Sequence, residues 1–253
     1  MINGEPVSTS VSIFYSFKVP GTSIREYGNL EQRVHDTKLK AETGDPSAQM
    51  RYGMMIAGLP QLNQTYDQAL FWFLKAAQAG ARYAQYQIGT GLLTGHGCQC
   101  DTNKGEIWLE KAAQADQADA QVSLAEYLLK DKSNQESVAG AVVWLERAAK
   151  QGNSSGKLLL SAILAASPST DVRDPARALT LADQLDHDFK HDPSLWEIRA
   201  AANASRGDYK SAVKAQSQAI AEATRLGWDL EKLEQRQSLY TSQQAWSGNL
   251  LEF

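Results

Sequence analysis

From about residue 45 onward, apolar positions recur at intervals of three and four, the period of a helix with one buried face. Tyr52 pairs with Ile56, Ile88 with Leu92, Leu124 with Leu128 and Leu160 with Leu164, which predicts helices packing inward along those faces. A longer period overlies this one. Trp72, Trp108 and Trp144 stand 36 residues apart, as do Ala48, Ala84 and Ala120. Around the tryptophans the chain reads FWFLKAAQAG, IWLEKAAQAD and VWLERAAKQG, so Ala76 with Ala77, Ala112 with Ala113 and Ala148 with Ala149 coincide too. Small side chains there let neighbouring helices approach closely. A fixed period of this size marks stacked helical units, none of which can bury its apolar faces alone. One large aromatic per repeat at a constant phase predicts a tryptophan column in the core.

The helix starts follow the same period. Seven residues before each tryptophan stand Thr65, Asp101 and Ser137, all good N-cap types, so the second helix of each pair is expected to begin there. Thr65 has Gln68 three residues on, the spacing of a capping box. Asp174 followed by Pro175 gives a fourth start, with one inserted residue. The stretches LPQLNQ, TGHGCQC and KDKSNQ are short, polar or glycine-rich, and suit helix-to-helix connections. The architecture read from these signals is all-α. A capping helix over 24–43 ends at Gly44, Asp45 and Pro46, and repeats follow over 45–80, 81–116, 117–152 and 153–191. A hairpin over 194–225 breaks at Arg206, Gly207 and Asp208, and a last helix covers 230–246.

Residues 1–20 are different in kind. Strict alternation puts Val7, Thr9, Val11, Ile13, Tyr15, Phe17 and Val19 on one side, with mostly serine and lysine opposite, which predicts an amphipathic β-strand. A lone strand leaves its backbone unpaired, so three outcomes are open: disorder, packing onto the helical stack, or pairing with the same strand of a second copy, a homodimer through residues 7–19, which the clean alternation favours.

Composition narrows the chemistry. A 43% hydrophobic and 21% charged chain with seven prolines is that of a folded protein. The net charge of -4 and pI near 5.6 offer no general attraction for phosphate backbones, so nucleic acid is not an expected partner. No run approaches the roughly 18 apolar residues that span a bilayer, and the first residues lack the pattern of a secretory signal. No membrane insertion by this chain is expected. His96, Cys98, Cys100 and Asp101 are the densest cluster of potential ligands, but zinc sites use wider spacings and Asp101 is accounted for as a cap. A disulfide between Cys98 and Cys100 would close a strained ring. His187 and His191 lie in the charged segment DHDFKHD, which reads as a solvated helix end. The expectation is therefore no metal, no cofactor and no catalytic residue.

The alanine opening each first helix, the glycine after a large residue in Tyr52-Gly53 and Ile88-Gly89, and the W-L-x-K-A-A block resemble Sel1-like repeats, relatives of the tetratricopeptide repeat. Residues 196–223 are more similar to a tetratricopeptide unit proper. The resemblance covers about residues 24–225 and implies a right-handed α-solenoid of antiparallel helix hairpins that acts as a scaffold for proteins or peptides. Asp116 stands where Gly80 and Gly152 stand, and Leu181 replaces the tryptophan of the fourth repeat. A cysteine-rich branch of the family, associated with β-lactamase activity, carries a cysteine pair in each repeat. This chain has only two cysteines in all, so the resemblance implies no enzyme. The wording NGEPV and the alternation after it resemble the closing strand of the C-terminal domain of TonB-like energy transducers. That likeness implies the tail of a longer envelope protein, or a relic of one, in the periplasm or cell envelope; the lack of a signal peptide makes the cytoplasm the alternative.

In tetratricopeptide-like stacks the first helices line a concave face. Stepping the period along them gives the expected partner-binding residues: Met50 and Met54; Tyr83, Tyr86 and Thr90; Val122, Glu126 and Leu129; and Leu158. Methionine adapts to irregular surfaces and tyrosine anchors while hydrogen-bonding, so this face suits a protein or peptide.

Overall fold

The computed structural model describes residues 30–130 and 135–250; the expected strand over residues 7–19 and the start of the capping helix lie outside them. Among the described residues every regular element is helical. They form two compact units that divide between Gly105 and Glu106. In the first, α1 (Leu30–Glu42), α2 (Pro46–Gly58), α3 (Tyr66–Gln78) and α4 (Arg82–Thr94) pack each on the next, with a 3-10 turn (Pro60–Leu62) between α2 and α3. The division falls within α5 (Thr102–Gln114). The second unit holds α6 (Ala118–Leu129), α7 (Gln135–Lys150), α8 (Ser154–Ala166), α9 (Pro175–Asp183), the short α10 (Asp186–Phe189), α11 (Pro193–Ser205), α12 (Tyr209–Leu226) and α13 (Glu231–Thr241). There α6 packs on α7, α7 on α8 and α8 on α9, while α11 touches α8, α9 and α12. α6 also touches α8, so first helices of successive repeats lie side by side.

The 36-residue period is written in the backbone as well as in the side chains. Gly44, Gly80, Asp116 and Gly152 all take left-handed backbone, with φ of 95°, 87°, 58° and 85°. Each ends a helix, and the next residue (Asp45, Ala81, Gln117 and Asn153) is the N-cap of the following one. The amides of Gly80 and Ala81 return to the carbonyls of Ala77 and Ala76 at 3.0 Å each, a Schellman turn, and the turns at Asp116 and Gly152 repeat it. Glycine fits this conformation without strain; aspartate does so at a cost. Asp116 gains partners in return: Arg147 Nη2 donates to its Oδ1 at 2.6 Å and Gln121 Nε2 at 3.3 Å.

A further column escaped the sequence reading. Gln49, Gln85 and Gln121 are buried, and their Nε2 groups donate to the carbonyls of Ala41, Ala77 and Ala113 at 3.2, 3.3 and 3.0 Å. The last carbonyls of a helix have no partner within it, so one amide per repeat ties a helix end to the helix that follows.

Most expected caps are in place. Asp101 Oδ1 accepts from the Lys104 amide at 3.1 Å, Asp174 Oδ1 from the Arg177 amide at 3.0 Å, and the Gln68 side chain accepts from the Thr65 amide at 3.0 Å. Ser137 differs. α7 begins at Gln135, so Ser137 lies inside the helix and not at its N-cap position. Gln135 and Glu136 are both good helix formers and extend that helix upstream, where its counterparts start six residues before their tryptophans. Asp101→Ala should therefore lower stability by about 0.5–2 kcal/mol and Ser137→Ala by much less, measured side by side in urea melts.

The tryptophan column is not the core. Trp72, Trp108 and Trp144 are only half-buried, and the residues immediately after them, Phe73, Leu109 and Leu145, are sealed at 1%, 0% and 0% exposure. The inward stripe of α3 is Ala69, Phe73, Ala76 and Ala77, the i, i+4, i+7, i+8 spacing of one helix face, and Trp72 sits at its margin. Each tryptophan instead carries a cation from the next turn: Lys75 over Trp72 at 5.1 Å, Lys111 over Trp108 at 4.7 Å and Arg147 over Trp144 at 4.7 Å. Phe73 also explains Gly53, where a Cβ would meet the Phe73 ring at 2.8 Å. The last helix is shorter than expected. It stops at Thr241, because Gln243 turns left-handed (φ 57°) and the Gln244 amide returns to the Leu239 carbonyl at 2.9 Å.

Candidate functional site

The expected partner-binding residues lie on first helices, and the structure sorts them by exposure. On α2, Met50 and Met54 are one turn apart and both half-exposed. On α4, Tyr83 and Thr90 are half-exposed, but Tyr86 is 8% exposed and packs inward. Tyr83 is held rather than free. Its hydroxyl accepts from Gln87 Nε2 at 2.7 Å, Gln87 Oε1 accepts from the Tyr66 hydroxyl at 2.9 Å, and its ring lies 6.4 Å from Phe73 and 6.0 Å from Tyr86. The Thr90 hydroxyl donates back to the Tyr86 carbonyl at 3.1 Å. The accessible features of this face in the first unit are thus the two methionines and one edge of Tyr83.

In the second unit Val122 is 4% exposed and belongs to the core, so it backs the face rather than lining it, as Tyr86 does in the first. The period places both on the first-helix face, but each is buried by the packing of its own unit. Leu129 and Leu158 are half-buried against the same core, on the adjacent helices α6 and α8. Glu126 is open to solvent, yet the surrounding protein raises its carboxyl above the usual glutamate range, against the opposing pull of Lys130. At the helix starts, Asn153 Nδ2 donates to Asp119 Oδ1 at 2.9 Å, which fixes α8 beside α6.

The cysteine loop folds onto α3. The His96 ring lies tilted against that of Tyr66, with centroids 4.1 Å apart, and Cys98 and Cys100 are free thiols. Burial, followed by the neighbouring Cys100, pushes the Cys98 thiol up, which disfavours the nucleophilic thiolate. Among the described residues no three histidine, cysteine or acidic side chains gather in a form that holds a metal ion. No described helix is long and apolar enough to cross a membrane.

Sequence reasoning also passed over the residue just before each tryptophan. Phe71, Ile107 and Val143, again 36 apart, are 53%, 52% and 57% exposed, on the opposite side of each second helix from the buried stripe. The signal was legible, since all three are apolar at one phase.

These repeats have known relatives. Residues 46–80, 82–117 and 118–153 match the Sel1 repeat family model. The three matches cover less than half of the chain and show it to be similar to Sel1 repeats over that stretch. Their boundaries coincide with the left-handed turns at Gly44, Gly80, Asp116 and Gly152. Two solved structures extend the likeness beyond the matched repeats. One is c5321, a protective antigen present in uropathogenic Escherichia coli that displays an SLR fold, with 18% identity over 85% of this chain and a TM-score of 0.62. This chain spans 45% of that protein. The other is a Sel1 repeat protein from Oxalobacter formigenes, with 20% identity over 79% of this chain and 85% of that one, and a TM-score of 0.57. At such identities the likeness is one of fold: an α-solenoid of Sel1-like hairpins. A search of curated proteins finds no match. Sel1 repeats generally build protein–protein interaction scaffolds and are typically non-enzymatic.

Proposed function

We propose that this Sel1-repeat chain is a scaffold that holds a protein or peptide segment on the first-helix face of its hairpins. The observation that carries the reading is Glu126: an exposed carboxylate on α6, partly desolvated by the surrounding protein, on the helix that carries the half-buried Leu129 and packs on α8 with the half-buried Leu158. A basic side chain on a partner would relieve the desolvation of that carboxylate, and the leucines would receive an apolar neighbour. In the first unit, Met50, Met54 and Tyr83 give the first helices a softer, apolar surface of their own. The partner class is thus a peptide mixing basic and apolar residues.

Panning a random peptide library on the full chain tests this. Enriched sequences should carry lysine or arginine among apolar residues and should lose at least tenfold in affinity on Glu126→Lys, while Lys104→Glu leaves them unaffected. Equal binding to Glu126→Lys would remove the face from consideration. Tyr86→Ala is not a useful probe, because that side chain is part of the packing. An assembly role through residues 7–19 and an envelope location are the finer parts of the proposal. They rest on the alternation of those residues and on the TonB-like wording. Light scattering of the full chain against one lacking residues 1–20 separates a dimer made by that segment from a monomer.

A further inference from the structure

After α13, residues 244–250 fold back onto the helices. Residues 244–250 run without helical structure, and their exposure alternates: Ala245, Ser247 and Asn249 face solvent, Trp246 and Gly248 are half-buried, and Leu250 is sealed at 1%. Burial at every second residue is the pattern of an extended segment lying on a surface. Leu250 enters the core formed by α8, α9 and α11 residues, and Trp246 packs against both that core and the smaller cluster around Tyr240. The backbone is gripped at two points. The Gly248 amide donates to the carbonyl of Ala166, the last residue of α8, at 2.8 Å, and Arg236 Nη2 donates to the Asn249 carbonyl at 3.3 Å. The Arg236 guanidinium also covers the Trp246 ring at 5.1 Å. Gly248 holds a φ of 151° that larger residues rarely adopt, and a Cβ there would come within 3.1 Å of that ring.

The fit is good in shape and poor in polarity. Trp246 Nε1, Tyr240 Oη and Arg236 Nε are buried around the tail without hydrogen-bond partners, and Glu197 Oε2 and Gln216 Oε1 are in the same state behind Arg236. A buried polar group that lacks a partner works against the state that buries it. The tail therefore occupies this surface while leaving part of its bonding capacity unused.

We propose that residues 244–250 sit in a second peptide site, distinct from the first-helix face, and that an incoming segment of the same pattern displaces them. That pattern is an aromatic residue, a small residue two positions on and an aliphatic residue four positions on. A hydrogen-bond acceptor beside the aromatic residue would satisfy Arg236 Nε and Tyr240 Oη, which the chain's own tail does not. Until such a partner arrives, the tail keeps the apolar floor covered.

The test uses the full chain and a fluorescent synthetic peptide with the sequence of residues 242–253. Loosening the tail with Trp246→Ala and Leu250→Ala together should raise peptide affinity at least tenfold over the unaltered protein, as read by anisotropy. A peptide with both anchors changed to alanine should bind neither protein. Glu126→Lys should leave this binding untouched, which separates the site from the one proposed above. Equal affinity for both proteins, or no binding to a variant that keeps its helical circular dichroism, overturns the proposal. Hydrogen exchange on the unaltered protein decides the matter if the variant does not fold. The Gly248 amide should exchange at least a hundredfold faster than the buried amides of α11, and exchange at the α11 rate would make the tail core structure and end the idea.

Discussion

Phe73→Ala should destabilise the protein by about 3–5 kcal/mol in urea melts, the usual range for truncating a core aromatic, while Trp72→Ala should cost only about 1–2 kcal/mol. The two residues are neighbours in sequence and differ by one step around α3. Phe73 is 1% exposed, against Gly53 on one side and 6.4 Å from the Tyr83 ring on the other. Removing it opens a cavity that Gly53 has no side chain to fill. Trp72 loses an edge contact with Tyr52 at 5.3 Å and its cover by Lys75, but water already reaches it. The comparison is read from midpoints at unchanged slope, because a repeat stack that breaks its cooperativity would change the slope instead. Equal losses from the two variants would restore the tryptophans to the core and overturn the assignment of the stripe.

The period, the hairpins and most helix starts were legible in the sequence because each rests on local chemistry. A cap such as Asp101 or Asp174 acts within three residues, and an apolar stripe within one helix, so a single chain displays both. What the sequence hid depends on which way a helix turns by less than a third of a turn. Trp72 and Phe73 carry the same periodic signal, and only the packing of α3 between α2 and α4 decides which is sealed. The same limit applies to the candidate face. Periodicity put Tyr86 and Val122 beside Met54 and Glu126, but their burial depends on how closely the neighbouring helix lies. The glutamine column was legible in principle: Gln49, Gln85 and Gln121 keep the interval. It was missed because glutamine at one phase of a helix reads as surface until its amide is seen on a carbonyl of the preceding helix. Residues 244–250 lie outside the 36-residue period, and an alternation this short did not announce that Trp246 and Leu250 fold back onto the helices.

Glu197→Ala should cost about 3–5 kcal/mol, because it leaves the Arg236 guanidinium charged and buried without its counter-ion. Glu197 on α11 and Arg236 on α13 are 1% and 3% exposed and hydrogen-bonded to each other. α13 packs on α12 and α12 on α11, so the pair joins helices that are not consecutive. Burial, the largest influence, raises the Glu197 carboxyl above the usual glutamate range; Arg236 pulls it down but does not win. A raised native pKa means that the folded state holds the proton more tightly than the unfolded state. The contribution of this group therefore favours folding most at low pH, declines as pH rises from the unfolded value of about 4.3 to the native one, and is constant above that. Because burial outweighs the pull of Arg236 on this carboxyl, removing both partners together should cost far less than removing one. Glu197→Leu combined with Arg236→Met should recover most of what Glu197→Ala loses, since an apolar pair of similar size escapes the desolvation cost. A double-mutant cycle at pH 7 measures the difference. A single-variant loss below about 1 kcal/mol, the scale of an exposed ion pair, would mean that water reaches Arg236 and that the two side chains are not the buried clasp of α11 to α13.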